Sequence, residues 1–122
     1  MKKDSETNIQ ELKDIVKKFC EDRDWKQFHD AKELSIGLVT ESSELLQHFR
    51  FKNSKQIQEK LLNPETRQEI TEEMADVLYF LLRFAQLYDI DITTGFEKKM
   101  KKNDLKYPVS KTRGSDKKYN EI

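Results

Sequence analysis

Ile9, Leu12, Ile15, Val16, Phe19 and Cys20 recur at helical spacing, which predicts an amphipathic helix over about residues 6–22. Asp4 and Ser5 stand where its N-caps would belong. The period breaks over 24–30, an aromatic-rich connection that carries Trp25, Phe28 and His29. It resumes over about 31–51 with Leu34, Leu38, Leu45, Leu46 and Phe49. Gly37 interrupts that second helix at roughly 1 kcal/mol relative to Ala, which close approach of another helix would explain. Ser54 starts a short helix with Ile57, Leu61 and Leu62, and Asn63-Pro64 ends it and opens the next. Thr66 and Glu69 have capping-box spacing at that opening. The helix running from there to Tyr88 is the most apolar, with Ile70, Met74, Val77, Leu78, Leu81, Leu82 and Ala85. These positions spread wider than one stripe, predicting a central helix packed on more than one side. Thr94 and Glu97 form another capping box for a last helix that Pro108 has ended, and 109–122 reads as extended.

Composition turns this series of helices into a fold class. Three Gly and two Pro are too few for the turns of a sandwich or barrel, so the chain is read as all-α, with four to five helices. At 122 residues it has room for one domain, assigned to 1–108, followed by a basic tail over 109–122. With 35% hydrophobic and 38% charged residues, the core is lean for so small a unit. A bundle completed by self-association, as a homodimer or homotetramer, is the expected remedy. Lys plus Arg equals Asp plus Glu at 23 each, so no net field recruits nucleic acid or a membrane surface. The single cysteine, Cys20, forbids an internal disulfide and suits a reducing compartment. With no apolar run of membrane-spanning length and no signal-like N-terminus, a cytoplasmic location is expected.

The candidate chemistry lies in carboxylates set among apolar residues. Glu41 and Glu44 share one face of the second helix, and Glu73 and Asp76 share one face of the central helix. Leu38, Leu45, Leu46, Met74 and Val77 surround them, and 77–82 is continuously apolar or aromatic. A carboxylate so placed needs a partner or a metal. If the two helices pack antiparallel, all four acids converge, and an all-oxygen donor set suits Mg²⁺, with Mn²⁺ able to substitute. Either pair alone reads more simply as a solvated face; two pairs in apolar surroundings favour the metal. A di-iron centre is excluded because neither His29 nor His48 lies three residues after a Glu. Gly37, Gly95 and Gly114 are too scattered for a phosphate-binding loop, and Cys20 falls in an apolar stripe rather than at a nucleophile's position.

Glu41-x-x-Glu44, 28 residues, then Glu73-x-x-Asp76 resembles the signature of the MazG-type nucleotide pyrophosphohydrolases. Segments 19–29, 41–51, 73–80, 99–108 and 113–119 are similar to the dCTP pyrophosphatase branch of that superfamily. The resemblance implies an enzyme that uses Mg²⁺ to convert a nucleoside triphosphate, dCTP or a related dNTP, to monophosphate and pyrophosphate. It implies Glu41, Glu44, Glu73 and Asp76 as catalytic metal ligands, with water attacking the α-phosphate. It places Trp25 and His29 near the base, and Lys99 and Asn103 near the nucleotide. Lys106, Tyr107 and Arg113 are further phosphate candidates. Three positions depart from dCTP-specific relatives: Phe51 stands for a Trp, Phe80 for a Tyr and Val16 for a His. All three concern the base pocket and none the acids. The competing reading is a non-enzymatic helical interaction module whose acids are solvated and whose basic tail binds a partner.

Overall fold

The computed structural model describes residues 1–122, and it contains helices and turns without strands. Six helices follow one another: α1 (Ile9–Asp22), α2 (Ala31–Gln47), α3 (Ser54–Leu62), α4 (Pro64–Leu87), α5 (Ile92–Lys106) and α6 (Val109–Thr112). The all-α expectation holds, with one short helix more than the pattern gave. Residues 109–122, expected to be extended, carry α6 and a 3₁₀ turn at Tyr119–Glu121.

Side-chain caps set most of the helix starts, and several differ from those expected. Asn8 rather than Asp4 or Ser5 caps α1, accepting from the Glu11 amide at 2.9 Å, while Asp4–Glu6 forms a separate 3₁₀ turn. Asn63 caps α4 ahead of Pro64, so Thr66 is already inside the first turn, its hydroxyl donating back to the carbonyls of Lys60 and Asn63. Asp91 likewise caps α5 through the Thr94 amide at 2.8 Å, displacing the Thr94–Glu97 box. In each case an Asn or Asp upstream supplies the stronger cap. Helix α2 stops at Gln47, and the turn after it ends on Phe51 at φ +62°, a left-handed conformation that halts helical propagation.

The chain divides into two compact units, Met1–Ile90 and Asp91–Ile122. In the first, α4 packs against α1, α2 and α3, as its broad apolar surface predicts. The apolar core is small: Val16 and Cys20 of α1, Leu34 of α2, and Ile70, Leu82 and Ala85 of α4. Two cations are buried with it, and Lys13 resolves its burial by donating Nζ to the Ile90 carbonyl at 2.5 Å. The second is Arg83, at 2% exposure. Many large apolar side chains stay exposed, among them Ile36 and Val39 on α2 and the Met74–Leu78–Leu81 stripe on α4. No helix is long and apolar enough to cross a membrane.

Candidate active site

Helices α2 and α4 build the site by facing each other antiparallel. Gly37 of α2 meets Phe80 of α4, while one turn along, Glu41 meets Glu73 and Asp76. Residue numbers therefore rise on one helix as they fall on the other. Glu41, Glu73 and Asp76 each offer one carboxylate oxygen to a group lying within 4.8 Å of one another. Glu41 and Glu73 are half-buried and Asp76 is exposed. Glu44 is outside this triad but borders it, near enough to act on both Glu41 and Glu73.

The electrostatics of this cluster are unfavourable as they stand. Oε2 of Glu41 and Oε2 of Glu73 are buried without any hydrogen-bond partner. Withdrawal from water, then the adjoining carboxylates of Glu44, Asp76 and Glu73, push the Glu41 carboxyl up to about 7. Glu73 is raised by the same withdrawal and by Glu44 and Asp76, with His48 pulling it down. Buried acceptors are nearly always paired, so two orphans at one point mark a place made for a donor or a cation. Three to four carboxylates with no nitrogen or sulfur among them fit a hard divalent ion such as Mg²⁺.

Beside the acids opens a cavity of about 290 Å³, lined by Glu41 and Asp76 together with Phe19, Trp25, Tyr79 and Phe80. Its aromatic wall is interlocked edge to face: Phe19 on Trp25 at 5.5 Å, Phe19 on Tyr79 at 6.0 Å, and Tyr79 on Phe80 at 5.0 Å between centroids. The Tyr79 hydroxyl sits 3.2 Å from the buried Cys20 sulfur, and burial, then that contact, raises its pKa well above the ordinary tyrosine value. Trp25 and Phe80, singled out in the sequence, are thus on the wall. His29 is not; its ring lies behind Trp25, 6.3 Å away edge to face, and accepts from Arg83. Phe51 is 90% exposed in the turn after α2, under the Arg50 guanidinium, and does not line the cavity. Val16 is buried in the core.

Phe19 and Tyr79 were not among the site candidates drawn from the sequence, and His48 was weighed there only for a di-iron centre. Asp76, Tyr79 and Phe80 stand at i, i+3 and i+4 on one helix, so the face that carries Asp76 necessarily carries both rings. Phe19 gave no such signal, being one more member of an apolar stripe. The remaining candidates belong to the second unit. Lys99 and Asn103 lie on α5, where the Asn103 amide approaches the Met100 sulfur at 3.9 Å. Lys106 and Tyr107, at the end of α5, pack against Tyr119, with Nζ 4.8 Å over its ring and the two rings 6.3 Å apart. Arg113 caps the end of α6.

The MazG-like family pattern matches residues 36–122, which include all four acids. The chain belongs to the MazG-like family. This MazG-like chain is similar along most of its length to mammalian proteins. It is 32% identical to dCTP pyrophosphatase 1 of Rattus norvegicus over 117 residues, which is 96% of the chain and 69% of that protein. It is 31% identical to dCTP pyrophosphatase 1 of Homo sapiens, again over 96% of the chain and 69% of that protein. Its fold matches the crystal structure of a pyrophosphatase from Archaeoglobus fulgidus with TM-score 0.74 and 34% identity, covering 82% of this chain and 92% of that one.

Proposed function

We propose that this MazG-like protein is a divalent-metal-dependent nucleoside triphosphate pyrophosphatase, with dCTP or a related dNTP as its substrate. The observation that carries the reading is the convergence of Glu41, Glu73 and Asp76 beside an aromatic cavity, with two buried carboxylate oxygens left unpartnered. Relatives named dCTP pyrophosphatase 1 and a pyrophosphatase of the same fold support it. Glu41, Glu44, Glu73 and Asp76 would hold Mg²⁺ or Mn²⁺. When bound, such an ion neutralises triphosphate charge and acidifies water.

The chain's own side chains divide the remaining work. Glu41, raised toward neutrality while no cation is bound, would give up its proton as the ion binds. Trp25 and Phe80 offer flat apolar surface to a base, and His29 steadies Trp25 from behind. Lys99, Asn103 and Lys106 of α5, and Tyr107 directly after it, are proposed as substrate contacts. The exposed Ile36, Val39, Met74, Leu78 and Leu81 support assembly into a homodimer or homotetramer.

The test is a screen of the common nucleoside triphosphates with product identification. Monophosphate and pyrophosphate should appear in equal amounts, turnover should vanish under chelation, and Mg²⁺ or Mn²⁺ should restore it. Orthophosphate and a diphosphate as products would refute the reaction. No turnover and no Mg²⁺-linked rise in melting temperature would favour the interaction module instead.

A further inference from the structure

Gly37 and Phe80 meet one helical turn, about 5.4 Å, along from the facing acids Glu41 and Asp76. The contact is intimate. A Cβ added at residue 37 would stand 2.6 Å from both Cδ1 and Cζ of the Phe80 ring, and closer still to Cε1. Real Cβ atoms do not approach that near, so the ring occupies the space a side chain would fill. Gly37 is thus the niche that lets Phe80 lie back against α2. Phe80 also lines the cavity that Glu41 and Asp76 border.

We infer that Gly37 is a specificity-determining residue, setting the depth of the base pocket by how far it lets the Phe80 ring retract. This rests on the proposed nucleotide reading of the same cavity. With any larger residue at 37 the ring must leave the niche, and the open volume beside it is the cavity of about 290 Å³. A pocket narrowed in this way penalises a two-ring base more than a one-ring base. Gly37 touches no substrate; it acts through Phe80 and is a positioning residue.

The experiment compares the unmutated protein with Gly37→Ala, Phe80→Leu and the double variant. Two quantities are read on each: kcat/KM for dCTP and dATP, and the emission of Trp25, the chain's single tryptophan, which shares the cavity wall with Phe80. Gly37→Ala should lower kcat/KM for dATP by about tenfold more than for dCTP, the scale of one misfit methylene-sized group in a pocket. It should also shift Trp25 emission. Phe80→Leu in the same chain should reverse both changes, because the shorter side chain fits beside Ala. An equal loss for both substrates with unchanged emission, or a selectivity change that Phe80→Leu does not reverse, would overturn the inference. The unmutated protein keeps the two readings apart. If it hydrolyses no triphosphate the proposed function fails, whereas an active parent whose base ratio ignores Gly37→Ala leaves that function standing and removes only this role.

Discussion

Nε of Arg83 donates to Nδ1 of His29 at 3.0 Å, tying the C-terminal end of α4 to the connection that carries Trp25. The bond requires Nδ1 to be the acceptor, so the imidazole is neutral with its proton on Nε2. Burial first, and the Arg83 charge second, lower the His29 pKa below its ordinary value. The three ion pairs of the chain involve neither residue, so the guanidinium relies on His29 and on the Gln86 side chain.

That pairing predicts a titration. Nitrogen NMR should find His29 as the Nε2–H tautomer, with a midpoint below that of a free imidazole, about 6.5. Neutral His29 contributes stability above that pH, and the contribution is lost as pH falls through the lowered folded value. Arg83→Met, similar in length but uncharged, should raise the midpoint and flatten this loss. An unchanged midpoint would show that the two residues are not coupled.

The acid cluster predicts the opposite slope in metal-free protein. Glu41 is raised from 4.5 to about 7, so its contribution is present below the unfolded value and lost as pH rises through the folded one. Melting temperature in chelator should therefore fall between those two pH values, and Glu41→Gln should fall less. A bound divalent ion demands the ionised acid, so the Mg²⁺-induced rise in melting temperature should grow across the same window. Parallel curves with and without Mg²⁺ would rule the cluster out as the metal site.

Neutralising the acids should separate them from the rest of the chain's carboxylates. Asp76→Asn and Glu44→Gln should each lower activity by about a hundredfold or more, on the scale of removing one electrostatic contact at a reacting centre. Circular dichroism should be unchanged, because relief of like-charge crowding offsets the lost contacts. Glu65→Gln at the exposed start of α4, and Glu59→Gln in the polar crevice beside Lys52 and Lys60, should leave activity near that of the parent. Comparable losses at all four positions would mean the acids have no special role.

Assembly predicts that surface substitutions are costly where a monomer would tolerate them. Ile36 and Val39 are 51% and 68% exposed and border an apolar depression on α2 with Lys32, Ser35 and Thr40. On a free surface, Ile36→Glu with Val39→Glu would change stability by only about 0.5 kcal/mol per site. At an interface the pair should halve or quarter the mass seen by light scattering and lower the melting temperature. A parent that is already a stable, fully active monomer would dispose of the idea.

The helices and the acid pairs were legible because each depends on local spacing. Period 3.6 placed α1, α2 and α4, and the three-residue interval put Glu73 and Asp76 on one face. Cap identities were less legible, since Asn8, Asn63 and Asp91 compete with nearby hydroxyls and only the backbone's path decides among them. The cavity wall was half legible. Tyr79 follows from Asp76 by helical geometry, but Phe19 reaches the site from α1, and no one-dimensional pattern relates it to Trp25 or Tyr79. The niche at Gly37 shows the same limit: the glycine announced a close approach without naming the residue that approaches.

Trp25 is where a base contact can be read most directly. It is 37% exposed, held edge to face between Phe19 at 5.5 Å and His29 at 6.3 Å, and it lines the cavity with Glu41 and Asp76. A ring fixed on two sides and open on a third is organised to receive a flat partner without further ordering cost. Base–aromatic stacking is worth about 1–3 kcal/mol, so Trp25→Ala should lower kcat/KM by about 5- to 150-fold. The base lies away from the bond that breaks, so its contact is felt alike in ground and transition states, and KM should carry most of the change. Loss of the Phe19 and His29 contacts will also loosen the wall, and Trp25→Phe controls for this by keeping an aromatic ring in place. That variant should recover most of the affinity. A fall confined to kcat in both variants, with KM unmoved, would mean that Trp25 shapes the acid cluster and holds no base.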